Sequence, residues 1–197
     1  MSINDEYYVI ERAGGSEYPL LEWHDDENRS PFYKRRHVPI TKPIKLELGP
    51  PVPDRPVMVD YHSLPEPVIG QKIVDVIDPL SIDGIQLVPA DVEMPSGENL
   101  RYWLLHVLTK IACMDRSLSK AKFSDVLPGR ATTIDHLVLD EKILSDIPLE
   151  KRLIFVLEES VSTYLFHESI MNAIMSVEPV GCRFFRVAGW NDSAGFR

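Results

Sequence analysis

The chain has 197 residues and a formal net charge of −9, and 44% of its residues are hydrophobic. This length supports one domain with a substantial core, and the composition is that of a folded globular protein, which excludes a disordered chain. The negative charge argues against nucleic acid as a partner, because such binding depends on lysine and arginine. No apolar run reaches the roughly 20 residues that span a bilayer, which argues against a membrane protein.

The cysteine content and the N-terminus predict a cytoplasmic protein. Two cysteines, Cys113 and Cys182, are present, whereas a small secreted domain typically carries more of them in a disulfide framework. Residues 1–6 are polar and acidic, so they have the features of neither a secretory signal nor a transit peptide. We therefore expect both cysteines to be reduced, and because both lie in apolar segments we also expect them to be at least partly buried.

The first third of the chain predicts one strand followed by irregular structure. Glu6 to Arg12 (EYYVIER) is rich in β-forming residues and indicates an opening strand. Residues 13–66 are rich in proline, which removes a backbone donor and blocks helix formation. We expect loops wrapped over a core there, with a short strand at Val57 to Val59, inside a single domain of residues 1–197.

A helix followed by a glycine turn and a strand is predicted twice. The first helix covers about residues 68–78, where isoleucine and valine recur at helical spacing, and the second covers about residues 168–177. Gly84 follows the first helix and Gly181 follows the second, and each precedes an apolar stretch with strand character. Glycine suits a tight reversal at these positions, because a Cβ atom would hinder it.

The two units match at a constant offset of 97 residues. Ile73 then corresponds to Ile170 and Ile77 to Ile174, and the two glycines coincide. Two explanations stay open: an internal duplication, or two independent units of a common type. In either case the pattern predicts an α+β fold with mixed sheets and a few helices.

The stretch between the units fits two periods. In Arg101 to Met114 (RYWLLHVLTKIACM), alternate residues from Trp103 to Cys113 form a mostly apolar face, whereas Leu104 and Leu108 belong to a cluster at helical spacing. The aromatic and β-branched content favours a long central strand. Further short strands are predicted at residues 137–139, 153–157 and 164–166.

Several segments occur in an order that is typical of one protein family. They are YWLLHV from Tyr102, ACMDRSLS from Ala112, RLIF from Arg152, and the helix–glycine–strand unit from Phe166 to Val187. In their order and spacing they resemble the myxobacterial-type immunity-protein family, a class of cytoplasmic antidotes encoded beside bacterial polymorphic toxins. The resemblance covers about residues 67–187, and each motif by itself is short and unspecific.

The resemblance implies a protein that binds and neutralises a cognate toxin, with no cofactor and no catalysed reaction. The family offers no catalytic residues to carry over, and its contact residues vary with the toxin. Asp115 and Arg116 match a recurrent family element, but we interpret both as structural. The aspartate is placed to cap the following turn, and the arginine is placed to pair with a carboxylate.

The sequence lacks the common residue patterns of enzymes. It contains no glycine-rich phosphate loop, no G-x-S-x-G and no H-E-x-x-H. His24 to Glu27 is the densest set of potential metal ligands, but neighbours on one loop rarely converge on one ion, so we interpret it as a solvated loop. The basic run Lys34 to His37 has the same interpretation. No catalytic, metal or cofactor site is expected, and the alternative function is a small enzyme or scaffold subunit with a divergent site.

Acidic residues concentrate between positions 135 and 168. Eight aspartates and glutamates stand there against three lysines and arginines. One interpretation is a solvated edge. The other is a surface complementary to a basic, nuclease-like toxin, where such charge would speed association. The second interpretation predicts toxin-binding roles for Asp140, Glu141, Glu158 and Glu159.

Overall fold

The computed structural model describes residues 2–24 and 29–196. It confirms the α+β fold with mixed sheets and a few helices. The strands in this part of the chain are β1 (Tyr7–Arg12), β2 (Leu20–Trp23), β3 (Ile44–Gly49), β4 (Tyr61–His62), β5 (Val68–Ile69), β6 (Ile85–Glu93), β7 (Asn99–Val107), β8 (Lys110–Ile111), β9 (Lys120–Phe123), β10 (Ala131–His136), β11 (Ile154–Leu157), β12 (Tyr164–His167) and β13 (Cys182–Arg186). The α-helices there are α1 (Ser30–Tyr33), α2 (Gln71–Ile77), α3 (Glu141–Ser145) and α4 (Glu168–Met175).

The strands form two large sheets and a ribbon. One sheet has six strands in the order β2-β3-β6-β7-β5-β4, and the other has five in the order β13-β1-β12-β11-β8. Each is mixed, because β3 runs parallel to β6 and β8 runs parallel to β11, while the other pairs are antiparallel. β9 and β10 form a separate antiparallel ribbon.

The two large sheets enclose one central core. Alternate residues of β7, Leu105 and Val107, face this core from the six-stranded sheet, and Ile154 and Val156 of β11 face it from the five-stranded sheet. The helices between the sheets contribute Ile73 and Ile77 from α2, and Ile170 and Ile174 from α4. Residues of both sheets therefore share one hydrophobic cluster.

The outer face of each sheet is covered as well. Leu104 of the six-stranded sheet packs in a cluster with Phe32 of α1 and Val38, which belong to the proline-rich region. Phe155 of the five-stranded sheet packs in a cluster with Leu144 of α3 and with Trp190 near the C-terminus. Burial on both faces explains why β11 and β12 are continuous apolar runs without alternation.

The two helix–glycine–strand units have the same connectivity. β5 leads through α2 to β6, and β12 leads through α4 to β13. β7 pairs antiparallel with both β5 and β6, and β1 pairs antiparallel with both β12 and β13. In each unit the two strands are therefore parallel and are separated by one strand. At the offset of 97 residues, Gln71 coincides with Glu168 and Ile85 with Cys182, so the two helices and the two strands after them begin at equivalent positions, and both explanations for the two units stay open.

Both glycines adopt a left-handed backbone conformation, and each directly precedes its strand. The φ angle is +74° at Gly84 and +97° at Gly181. A Cβ atom at Gly84 would collide with the side-chain oxygen of Thr109, and one at Gly181 would lie 2.8 Å from the carbonyl oxygen of Tyr61. Glycine is thus required at both turns by conformation and by space.

Three sequence-based predictions need correction. The first helix begins at Gln71, because Val68 and Ile69 pair with β7 as strand β5. Residues 57–59 form no strand, although Val59 is buried and its carbonyl accepts a hydrogen bond from Tyr102. Residues 137–139 contribute one isolated bridge, from Leu139 to Met114, and the regular strand lies just before them.

The predicted long strand over residues 101–114 is divided in two. β7 ends at Val107 because the amides of Leu108 and Thr109 both turn to the carbonyl oxygen of Gly84. The chain then enters the other sheet, where β8 pairs parallel with β11. The stretch whose periodicity is ambiguous is therefore the place where the chain crosses from one sheet to the other.

Candidate functional site

An open groove of about 490 Å³ lies where the N-terminus meets the segment after β10. It combines carboxylates, an imidazole and an exposed leucine, which are groups that a protein partner recognises. The residues that line it are Ser2, Asn4, Asp115, Leu118, His136, Leu137, Val138, Leu139, Glu141 and Ala188. We refer to it as the acidic groove.

Asp115 closes the turn on one side of the acidic groove. Its Oδ1 accepts hydrogen bonds from the Ser117 amide at 2.8 Å, the Ser117 hydroxyl at 2.7 Å and the Leu118 amide at 3.1 Å. These bonds hold the carboxylate in place and lower the pKa of Asp115, with the Ser117 hydroxyl as the largest cause. The turn also leaves the Leu118 side chain 62% exposed at the edge of the groove.

Glu141 lies on the other side of the acidic groove, in the first turn of α3. Its Oε1 accepts hydrogen bonds from the Ser2 hydroxyl and from Asn4 Nδ2, the latter at 3.3 Å. Asn4 in turn exchanges two hydrogen bonds with the backbone of Leu139, at 2.7 and 3.0 Å. The Ser2 bond, followed by the Asn4 bond, lowers the pKa of Glu141. Both groove carboxylates therefore remain ionised at a lower pH than an unperturbed carboxyl group would.

The other three predicted toxin-binding residues lie in different environments. Asp140 is the N-cap of α3, where its Oδ1 accepts the amides of Lys142 and Ile143 at 3.0 and 3.1 Å. Glu158 is exposed at the end of β11, with its Oε1 3.7 Å from Lys110 Nζ. Glu159 is buried, with 6% of its surface accessible, so its charge does not belong to the exposed acidic surface that the sequence predicted.

Burial of Glu159 has an electrostatic consequence. Loss of hydration disfavours the charged form and raises the pKa of Glu159, and the nearby charge of Arg116 offsets part of this effect. The guanidinium of Arg116 itself lies 4.8 Å from the ring centroid of Phe123 and donates to the carbonyl of Gly129 at 3.5 Å. The expected direct pairing of Arg116 with a carboxylate is replaced by these two contacts, which join the Asp115 turn to the β9–β10 ribbon.

A buried charged cluster joins the two large sheets, and sequence reasoning missed it. Arg35 Nη1 lies 3.5 Å from Glu66 Oε2, and Nη2 donates to the Tyr164 hydroxyl at 2.8 Å. The same guanidinium donates to the carbonyls of Val107 and Val161, each at 3.1 Å. Interpreting residues 34–37 as a solvated loop is therefore wrong for Arg35, whose side chain is only 7% exposed.

His106 completes this cluster. Its Nδ1 lies 3.4 Å from Glu66 Oε2, and its Nε2 donates to the Arg36 carbonyl at 2.9 Å. The imidazole is fully buried on β7 and stacks edge-on against Phe32. All of these contacts are made within the protein. The cluster therefore holds the proline-rich region and the two large sheets in position relative to one another. No local periodicity marks these residues, since Arg35, Glu66 and His106 come from different segments of the chain.

The remaining candidates for a chemical role are the two cysteines and the segment from His24 to Glu27. Cys113 and Cys182 are free and buried, and burial raises the pKa of both thiols, to about 12 for Cys182. Their expected burial is confirmed, and such thiols are poor nucleophiles at neutral pH. His24 pairs with Glu47 at 2.8 Å, while Asp25, Asp26 and Glu27 lie outside the described residues. Within residues 2–24 and 29–196, no three histidine, cysteine or acidic side chains are grouped to hold a metal ion.

Comparison with known families gives the class: the chain matches the Immunity protein family (Imm11) over residues 5–189. It belongs to this family, which confirms the immunity-protein resemblance drawn from the sequence. No curated protein matches the chain significantly. Among the described residues, every helix is too short or too polar to cross a membrane.

Proposed function

We propose that this chain is a cytoplasmic immunity protein that binds one cognate toxin of a polymorphic toxin system and blocks it. Membership in the immunity-protein family over residues 5–189 is the observation that carries the proposal. Neutralisation then requires a tight protein–protein contact and no reaction, cofactor or metal ion of the immunity protein itself.

The acidic groove and its surroundings favour a basic toxin, such as a nuclease. The carboxylates of Asp115 and Glu141 are held by internal hydrogen bonds before any partner arrives, so little side-chain entropy is lost when a cationic group binds. Exposed acidic side chains nearby in the sequence, at Asp146 and Glu150, add to the negative potential. Such a potential speeds the approach of a positively charged partner and masks its nucleic-acid-binding surface.

The proposal is tested with the toxin domain encoded next to this chain. The first measurement is rescue of cells that express the toxin, and the second is the association rate of the purified pair. In a Glu141→Lys/Glu158→Lys variant, association should slow about tenfold at low ionic strength and much less at high salt, because charge steering is screened. The thermal midpoint should fall modestly, because Glu141→Lys removes the hydrogen bonds that this carboxylate accepts from Ser2 and Asn4, so the association rates are compared well below the midpoint of either protein.

A matched control separates a local effect from the net charge. Glu93→Lys/Glu98→Lys makes the same charge change at exposed positions at the end of the β6–β7 hairpin, in the other sheet. It should leave the association rate within about twofold of the parent. Equal slowing in both variants would show that only overall charge matters. A parent that neither rescues cells nor binds the toxin would contradict the proposed function and leave the enzyme or scaffold alternative.

A further inference from the structure

The β9–β10 ribbon carries large apolar side chains that are exposed. Val126 is 84% exposed, Leu127 is 60% exposed and Phe123 is 37% exposed, and Leu118 stands just before β9. Large apolar side chains scattered singly on a surface are ordinary, but these four fall within ten residues, on the ribbon and in the turn before it. Such a concentration of exposed apolar side chains is typical of a protein-binding surface.

The tip of the ribbon is held in one conformation. Ser124 Oγ accepts the amides of Val126 at 3.2 Å and Leu127 at 3.0 Å, and the Ser124 amide donates to the carbonyl of Arg130. Gly129 supplies the left-handed residue of the turn, with φ +82°. A turn fixed by its own hydrogen bonds presents Val126 and Leu127 to solvent without needing to be ordered on binding, which favours affinity.

The base of the ribbon is fixed to the body of the protein. The amide of Ala131 donates to the carbonyl of Glu159 at 2.7 Å, and the guanidinium of Arg130 donates to the carbonyl of Glu158. Arg116 stacks on Phe123 from the turn before β9. These contacts fix the orientation of the ribbon relative to the acidic groove before a partner binds.

The turn before β9 and the tip of the ribbon are positively charged on an otherwise acidic protein, although β10 adds the carboxylate of Asp135. Residues 116–130 contain four basic side chains and one acidic side chain, although the whole chain has a net charge of −9. The basic side chains Arg116, Lys120 and Lys122 are exposed. A surface of this kind is complementary to an apolar pocket edged by carboxylates.

The ribbon is continuous with the acidic groove. β9 begins two residues after Leu118, and β10 ends at His136, and both of these residues line the groove. A protein that lies across the groove is thus within reach of the ribbon. The apolar tip is well suited to act as the desolvated anchor that tight interfaces need, since charged rims contribute mainly to association rate.

We propose that the Val126-Leu127 tip of the β9–β10 ribbon inserts into an apolar, carboxylate-edged pocket of the cognate toxin, next to the contact made by the acidic groove. This inference rests on the proposed function, because it names the toxin as the partner. The groove accepts the basic surface of the toxin and sets the rate of encounter. The tip fills the pocket and sets the lifetime of the complex.

The test measures binding of the neighbour-encoded toxin to a Val126→Ser/Leu127→Ser variant of the full chain. We expect the Kd to rise about tenfold or more, mainly through faster dissociation, with an unchanged thermal midpoint. The matched control is Ile40→Ser/Val57→Ser, which removes two half-exposed apolar side chains of the proline-rich region and should leave the Kd within about twofold. A tip variant that binds as tightly as the parent would overturn the inference while leaving the immunity function intact.

Two further outcomes define the partner. Lys120→Glu/Lys122→Glu should slow association if the pocket is edged by carboxylates; an unchanged or faster rate would contradict that chemistry. Light scattering on the parent and the tip variant tests a second copy of this chain as the occupant. A parent that dimerises through the tip, with toxin binding unaffected by the serine substitutions, would also overturn the inference. Failure of the parent itself to bind the toxin would instead refute the proposed function.

Discussion

The two helix–glycine–strand units share one connectivity but obtain their middle strand from different places. In the first unit, β7 lies between β5 and β6 and follows β6 directly in a hairpin. In the second unit, β1 lies between β12 and β13 and comes from the opposite end of the chain. The first unit is therefore assembled from residues 68–107 alone, whereas the second requires both ends of the chain to meet.

The difference shows that the same local pattern can take its middle strand either from the next segment of the chain or from a distant one. Helix periodicity and a glycine turn produce the same outline in both units, and α2 and α4 pack in the same core cluster. The contacts of the first unit are closer in sequence, so its strand pairing costs less loop-closure entropy. The following predictions test how far the two units depend on each other and on their glycines.

The largest expected effect comes from Arg35→Ala, which removes the guanidinium that bridges the two sheets. Glu66 would stay buried without that cationic partner, and breaking a buried ion pair in this way costs about 3–5 kcal/mol. Urea unfolding measures the loss, and Arg36→Ala is the control because its side chain is exposed. Equal stability of the two variants would show that the sheets are joined by apolar packing alone.

The next effect distinguishes the two glycine turns. Gly84→Ala and Gly181→Ala should each lower the free energy of unfolding by about 2 kcal/mol or more, because alanine is strained at positive φ and meets a neighbour. A Thr109→Ala substitution should recover part of the loss at Gly84, where the obstacle is a side-chain oxygen. The obstacles at Gly181 include the backbone carbonyl of Tyr61, so that loss should be the larger of the two.

Gly14→Ala is the control for the glycine pair, since a Cβ atom there meets nothing within 4 Å. Its unfolding free energy should match that of the parent or exceed it slightly. If Gly84→Ala and Gly181→Ala behave like this control, the turns tolerate a side chain and the proposed equivalence of the two units loses its physical basis.

The smallest effect concerns pH and His62, which lies on β4 in the sheet of the first unit. Burial lowers the pKa of His62 to about 4, and its Nδ1 donates to the Pro19 carbonyl at 3.1 Å. His62 binds a proton near pH 6.5 in the unfolded chain but only near pH 4 in the folded chain. The free energy of unfolding therefore falls as the pH drops through this interval. At pH 5.5 the loss relative to pH 8 should be about 1 kcal/mol, and His62→Gln should abolish it.

The measurement is the thermal midpoint of the parent and His62→Gln between pH 8 and pH 5. His136→Gln is the control, because that imidazole lies at the open acidic groove. A parent whose pH dependence survives the His62 substitution would place the titrating group elsewhere in the molecule.

Much of the fold was predictable because it depends on local spacing. Isoleucines at helical intervals marked α4 and most of α2, and the glycines after them marked turns that only glycine occupies comfortably. The burial of both cysteines followed from their apolar neighbours. By contrast, residues 137–139 looked like a strand because they are apolar, yet they pack in the core and form one bridge to Met114. Hydrophobicity reports burial there and does not report pairing.

The candidate site was predictable only in part. Asp115 and Glu141 were both singled out, but for different roles, and their position on two sides of one groove depends on how the N-terminus packs against residues 137–141. Glu159 is adjacent to Glu158 and has the same side chain, yet one is buried and the other exposed. Both residues lie in the turn that follows β11, so which of them is buried depends on how that turn packs against the rest of the protein.

The sequence by itself determined the composition of a globular acidic protein, the two helix–glycine–strand units and the family. Tertiary structure alone decided that β1 completes the second unit, that Arg35 joins the two sheets and that the β9–β10 ribbon leaves its apolar tip exposed. Local patterns record the interactions of a residue with its near neighbours along the chain. Pairing between distant strands and the burial of single charges depend on which surfaces meet, and that information is spread over the whole chain.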